Sequence, residues 1–487
     1  MKPLPEALNE ALTFAAKYFG KELADTAYAR GLAVTNKADG STIPIPITAT
    51  AVILGEAELA RRTRLAALLA SAGAKMSRAL CAGEARELLL GGLSPLERTL
   101  AEKTAATLET LVTTRVDFFV GDKVQALELN ATIPAMQGYS DIAAQTLIEV
   151  AARYWGAKDT FIAQAMAKNG SNALALYRAL LSGYAKVRPG RTPERIALLS
   201  RRNDAQLTEQ RYLCEKFREW GADADVVHPD QLSGDDAVRA NGKSYDLVYR
   251  HLFVRRLEEP GMVGADYVRA LLAEPNGTRA VVLNPPASQV EAKLAFAMLS
   301  EALEDRALSK AAGLTEAERE AVAESVPWTR PFRTPAVVAR VKKNPDAYVL
   351  KRSWDYGGRA VFVGRTRGEA GFEERVKAAY GAPLDWDALC DRAAEDRVGG
   401  GFVVQSLVET KPETHVLCDG ASAVPTDLYV DFSAYASVGL ERAPAWGGVC
   451  RGSVSHIVNI VGGGGVIPLL SEGAAQSLLD AFRAGIK

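Results

Sequence analysis

Apolar residues recur at helical spacing over residues 1–95, broken by the polar, proline-containing stretch TNKADGSTIPIPIT (35–48), and the same spacing returns from Ser94 to Thr113. The pattern then changes. TRVDFFV (114–120) is rich in β-branched and aromatic residues, a Gly-Asp pair follows, and KVQALELN (123–130) is again strand-like. Two such runs around a tight turn predict an antiparallel hairpin. Residues 141–187 are rich in Ala and Leu and predict helix. Beyond them IALLS (196–200), YDLVYRHLF (245–253) and AVVLNPPAS (280–288) read as strands, the first followed by a helix-like stretch. That alternation predicts a parallel α/β sheet. AYVLKRSWDYGGRAVFVG (347–364) reads as strand, Gly-containing turn and strand, and GGFVVQSLVE (400–409) as a further strand. DLYVDFSAYAS, GGVCRGSVSHIVNIVGGGG and a closing helix complete the chain, with no internal repeat.

A chain of 487 residues exceeds what one hydrophobic core organises. The α/β pattern divides into an N-terminal part (1–187) of helices and the hairpin, a Rossmann-like central part (188–328), and a strand-rich part (329–487). Apolar residues make up 48% and charged residues 24%, an ordinary globular balance. With 58 basic and 59 acidic residues the net charge is −1, which argues against a general nucleic-acid binder. Cys81, Cys214, Cys390, Cys418 and Cys450 form no CxxC pair, so free thiols in a reducing, cytoplasmic setting are expected. The N-terminus does not read as a signal peptide, no long apolar run predicts a membrane span, and the four histidines are not spaced as zinc ligands.

Four local patterns carry candidate chemistry. Asp117 on one strand of the hairpin and Glu128 and Asn130 on the other can share a face, since residues two apart on a strand point the same way. Two carboxylates and an amide oxygen suit a hard cation such as magnesium, and Arg115 adds a positive charge beside them. Lys351 ends a strand before Gly357 and Gly358, an arrangement that lets an ammonium and a bare backbone approach phosphate. Gln405, Ser406 and Leu407 lie where a strand leads into a connection, so backbone groups there can meet an adenine edge. Arg451, with Asn459 and Gly462–Gly465 downstream, can hold phosphate or carboxylate. Taken singly, each also has an ordinary reading: a surface hairpin, an exposed lysine, a buried strand, a surface arginine. Tyr249, Arg250 and His251 fit either substrate contact or burial.

Together these segments resemble the ATP-grasp family. RVDFFVGDKVQALELNATIPAM resembles the metal-binding hairpin of D-alanine–D-alanine ligase-type enzymes, although Ala135 replaces the usual Gly after Pro134. YVLKRSWDYGGRAVFVG resembles the family's lysine strand and flexible loop, and FVVQSLVE its adenine hinge. The hairpin precedes the lysine strand, an order similar to the circularly permuted, glutathionylspermidine-synthase-like group. RGSVSHIVNIVGGGGVIP resembles that group's C-terminal segment, while VYRHLF and LNPPASQVEAK resemble its central domain.

The resemblance implies an ADP-forming ligase that joins a carboxylate to an amine through an acyl phosphate. It uses ATP with magnesium, manganese being an alternative. Asp117, Glu128 and Asn130 would hold the metal. Lys351, a second lysine (Lys343 or Lys342), Gly357, Gly358 and Gln405 to Leu407 would hold ATP. Arg115 and Arg451 would be catalytic. Expected partners are small carboxylates and amines, with no nucleic acid or membrane, and a homodimer is the expected assembly. Residues 1–90 lie outside the resemblance and are expected to shape a substrate pocket or lid. A thiol or hydroxyl acceptor, or a nucleotide-binding protein without turnover, are the alternatives.

Overall fold

The computed structural model describes residues 2–355, 357–440, 447–458, 460 and 463–485. Its largest element is a seven-stranded sheet ordered Glu413–Cys418, Ile47–Thr48, Gly464–Ile467, Gly448–Ser453, Ala423–Val438, Leu111–Val120, Val124–Asn130. Ala423–Val438 is long enough to pair with Glu413–Cys418 through its first half and with Leu111–Val120 through its second. The predicted hairpin is present, and its first strand begins at Leu111, three residues before the β-rich run. Ser94 starts the preceding helix with a capping box to Glu97, and a 3₁₀ turn at Ala105–Glu109 ends it.

The two long helices within residues 1–90 are built into the core. Helix Leu4–Ala29 packs on Gln137–Tyr154 and Glu472–Gly485, burying Leu8, Leu12, Phe19 and Leu23. Helix Glu56–Ala82 lies against Ala423–Val438. It is long and apolar enough to cross a bilayer, but its apolar face, with Leu65, Leu69 and Met76, is buried in the protein core. Ile47–Thr48, inside the proline-containing stretch, is a strand of the large sheet.

The central sheet is parallel, ordered Val281–Leu283, Leu247–His251, Arg195–Ser200, Asp223–Val227. Its inner strands are buried almost throughout, Arg250 and His251 included, as befits a parallel sheet. The third sheet is antiparallel: Thr329–Pro331, Phe402–Ser406, Tyr348–Arg352, Val361–Val363. Its own core gathers Leu350, Phe362, Phe402 and Trp386. Buried Glu97 ties the parts together, accepting from Trp354 Nε1 at 2.9 Å and from Ser288 Oγ at 3.0 Å.

Candidate functional site

Register on the large sheet gathers charge on one face. Arg115 lies opposite Asn130, and Asp117 lies opposite Glu128 on one side and Ser433 on the other. Asp431, two residues before Ser433, lies opposite Arg451. The step from Asp117/Glu128 to Phe118/Ala126 leaves Leu127 without a partner, a bulge. Lys351 of the antiparallel sheet uses that irregularity, donating to Leu127 O at 3.0 Å and to Gln405 Oε1 at 2.7 Å. A cleft of about 350 Å³ lies between the two sheets, lined by both sets of residues. Ligand sites commonly have this size.

Asp117 is enclosed by cations. Arg115 Nε donates to Oδ1 at 2.7 Å and Arg115 Nη2 to Oδ2 at 3.0 Å, a two-point clamp. Arg451 Nη2 reaches Oδ2 at 2.9 Å and Asn130 Nδ2 at 3.3 Å. Burial works to raise the Asp117 carboxyl, but Arg115 and Arg451 outweigh it and hold it well below the usual carboxylate range. Burial likewise lowers Arg451, and Asp431 and Asp117 more than reverse that. Arg451 is also held by fully buried Asp431, through Nε to Oδ1 at 3.2 Å and through Nη2 to Oδ2. Both Asp117 oxygens therefore fix guanidinium groups. The geometry makes Asp117 a clamp for two arginines and leaves Glu128 and Asn130 as the outward oxygen donors. Asn130 Nδ2 is engaged by Asp117, which leaves its Oδ1 as the donor to a cation.

Glu128 sits between two lysines. Lys293 Nζ lies 3.2 Å from Glu128 Oε2 and donates to Asp355 O at 2.9 Å. Burial raises Glu128, and Lys293 and then Lys351 pull it below its ordinary value. Burial pushes Lys351 down to about 8, with Glu128 opposing. Lys293 was not foreseen from sequence; its only signal was its place at the end of the LNPPASQVEAK segment. It is positioned by Ser353, whose carbonyl accepts from Lys293 N at 2.9 Å and whose Oγ accepts from Leu294 N at 3.2 Å.

Several expected ligands lie elsewhere. Lys343 is exposed on helix Pro335–Lys343 outside the cleft, and Lys342 pairs with Asp391 at 2.6 Å. Ser406 does not line the cleft. The amides of Ser406 and Leu407 donate to Trp328 O and Ala347 O, each at 2.8 Å, so they are not open donors for a base. Gln405, Leu407, Gly357 and Gly358 do line it. Gly357 and Gly358 have φ of +74° and +71°, and a β-carbon on Gly358 would fall 2.8 Å from Ile457 Cγ2. Gly464 and Gly465 form a strand of the large sheet rather than a ligand loop. Asn459 and Gly462 fall outside the described residues. Tyr249, Arg250 and His251 are buried. Asp431 and Asp355 join the cleft without a sequence signal.

No family model matches the chain. No curated protein matches it either. Among solved structures, a glutathione synthetase-like effector from Globodera pallida, in apo form, aligns with a TM-score of 0.55 at 12% identity, covering 97% of this chain and 98% of its own. A candidate gamma-glutamylcysteine synthetase from Methylobacillus flagellatus, 11% identical, covers 86% of this chain and 96% of its own at a TM-score of 0.38, too distant to inform the fold. The chain thus shares the overall mixed α/β fold of that effector.

Proposed function

We propose that the protein is an ATP- and magnesium-dependent ligase of the circularly permuted ATP-grasp type, joining a small carboxylate to an amine with release of ADP and phosphate. The observation that carries this reading is the convergence of Lys351, Lys293, Arg115 and Arg451 around Glu128 and Asn130 in one cleft between two sheets. Hairpin and lysine strand meet there although some 220 residues separate Lys351 from Leu127 in the chain. The fold neighbour, named glutathione synthetase-like, agrees with a ligase.

The donor set fits magnesium. One carboxylate and one amide oxygen are hard ligands, and magnesium completes its shell with waters and phosphate oxygens. Among the described residues no group of three His, Cys, Asp or Glu gathers, as a softer metal held by protein alone would need. When bound, the ion would neutralise phosphate charge. Lys351 and Lys293 would meet the phosphates as point charges. Arg115, locked by Asp117 and by Ala135 O at 3.1 Å, would present fixed positive charge to the transferring phosphoryl group. Arg451 would orient the substrate carboxylate, whose oxygen attacks the γ-phosphate to give an acyl phosphate. An amine then displaces phosphate. The Gly357–Gly358 turn, the most permissive backbone of the cleft, would close over this intermediate and exclude water. The reaction needs no secretion or membrane, in keeping with a cytoplasmic enzyme.

The test is a phosphate-release screen of the full chain with ATP, magnesium, amino acids and small carboxylates, with the nucleotide product identified. ADP formed only when acid and amine are both present supports the ligase. AMP, or tight ATP binding without phosphate release under any mixture, would sink it.

A further inference from the structure

The antiparallel sheet sets three polar side chains in a row. Thr329 lies directly opposite Gln405, and Gln405 lies opposite Val349, two residues before Lys351. Directly paired residues share a face of a sheet, and so do residues two apart on one strand. Thr329, Gln405 and Lys351 therefore stand on one face across three neighbouring strands, and of these Gln405 and Lys351 line the cleft. Strand alternation puts Leu350, Phe402 and Val404 on the other face, in the core of that sheet.

Register brings the polar groups together, and hydrogen bonds fix them. Lys351 Nζ donates to Gln405 Oε1 at 2.7 Å and to Leu127 O at 3.0 Å. An ammonium can only donate, so the oxygen end of the Gln405 carboxamide faces Lys351 and the nitrogen end faces away. Gln405 Nε2 donates to Thr329 Oγ1 at 3.2 Å, and Thr329 Oγ1 in turn donates to Pro327 O at 2.7 Å. The Thr329 main chain is fixed as well. Its amide donates at 3.0 Å to Ser300 Oγ on helix Lys293–Glu301, whose first residue is the other lysine of the cleft. Thr329 and Gln405 are both buried. Each member of this relay has one polarity, and donation runs from the lysine to a main-chain carbonyl.

That order gives Gln405 a role other than the base contact its place in the strand suggests. Both ends of its carboxamide are committed, one to the lysine and one to Thr329. An uncharged acceptor orients the ammonium without cancelling its charge, whereas a carboxylate in its place would form a buried ion pair and compete with phosphate. An ammonium has three hydrogens. Gln405 and Leu127 engage two of them, which leaves one to meet a ligand in the cleft. We propose that Gln405, locked by Thr329, is a positioning residue that holds Lys351 in place for the nucleotide phosphates and does not read the base. The inference rests on the ligase reading for the identity of the ligand, and on the relay itself for the role of Gln405.

A double-mutant cycle on the full chain tests it, with ATP–magnesium affinity measured by calorimetric titration. Gln405→Leu is expected to weaken ATP–magnesium by ~10-fold in the wild-type background. In a Lys351→Met background the same substitution should change affinity less than about twofold, because the group through which Gln405 acts is gone. Thr329→Val leaves Gln405 in place and frees its amide. It should weaken ATP–magnesium by a smaller factor, about threefold, that also disappears beside Lys351→Met. If melting shows that Gln405→Leu does not fold, Thr329→Val runs the same cycle. Weakening of equal size in both backgrounds shows Gln405 acting apart from Lys351, as a base contact or a general loss of structure would, and overturns the proposal. Unchanged affinity in the wild-type background overturns it too. A wild-type chain that binds no ATP–magnesium at all sinks the ligase reading and this role with it, an outcome distinct from either of those.

Discussion

Arg250 in the central sheet and Arg451 on the large sheet are both drawn away from bulk water, yet their partners differ in kind. Arg250 is fully buried and donates to main-chain carbonyls: Asn284 at 3.1 Å, Leu252 at 2.5 Å, Thr132 at 3.1 Å and Pro285 at 3.2 Å. Burial pushes its guanidinium down to about 10. Arg451 lines the cleft, and the acids Asp431 and Asp117 hold it. A guanidinium bound to carbonyls joins backbone segments. One bound to acids at a cavity wall keeps its orientation and still presents charge to a ligand. The first is architecture, and the second faces the cleft where the proposed chemistry would take place.

Glu128→Gln gives the largest expected effect. It removes the carboxylate that faces Lys293, and phosphate release should fall on the order of 10³-fold with the melting temperature nearly unchanged. Near-normal turnover would show that Glu128 holds no metal. Arg451→Met and Arg250→Met split the comparison directly. The first should lower turnover by roughly 10²-fold and also cost stability, since it leaves the buried Asp431 carboxylate uncompensated. The second should cost about 3–5 kcal/mol of stability by leaving buried carbonyls unpaired, as denaturant unfolding would measure. Equal loss of turnover per folded molecule in the two would erase the distinction.

Glu209 sharpens the architectural side. It is fully buried, and its oxygens accept from Met136 N and Gly138 N, each at 3.0 Å, which fixes the turn after the hairpin. Burial raises its carboxyl to about 7 against those two amides. An unfolded glutamate ionises near ~4.3. Between these values the folded chain keeps a proton that the unfolded chain releases, so stability declines as pH rises from about 4.5 to about 7 and then levels. The decline from this group is about 3 kcal/mol. In Glu209→Gln that part of the slope should vanish, and parallel melting curves of wild type and variant from pH 5 to 8 would refute it. The smallest effect is expected at Lys343→Ala, where ATP affinity should change less than twofold because the side chain lies outside the cleft.

The hairpin was readable because turn chemistry and strand composition are local, and so were the buried parallel strands, whose apolar runs admit few other environments. Arg115, Asp117, Glu128 and Asn130 were readable as a group for the same reason: a spacing of two on paired strands sets their shared face. The second lysine was not. Lys342 and Lys343 are near Lys351 in the chain, but their helix points them at Asp391 and solvent, while Lys293 arrives from the central part on a helix docked against Ser353. Asp431 sits mid-strand and resembles any polar residue of a sheet until Arg451 on the neighbouring strand lies opposite it.

Local pattern determined which segments are strands, where the hairpin turns, and that carboxylate, amide and arginine share one of its faces, since these follow from backbone geometry over a few residues. Tertiary structure alone decided that Asp117 clamps two arginines and that Lys293 faces Glu128. Those outcomes depend on contacts between segments tens to hundreds of residues apart. Charge strength there is set by which partner arrives and how much water it displaces, and no local spacing encodes either.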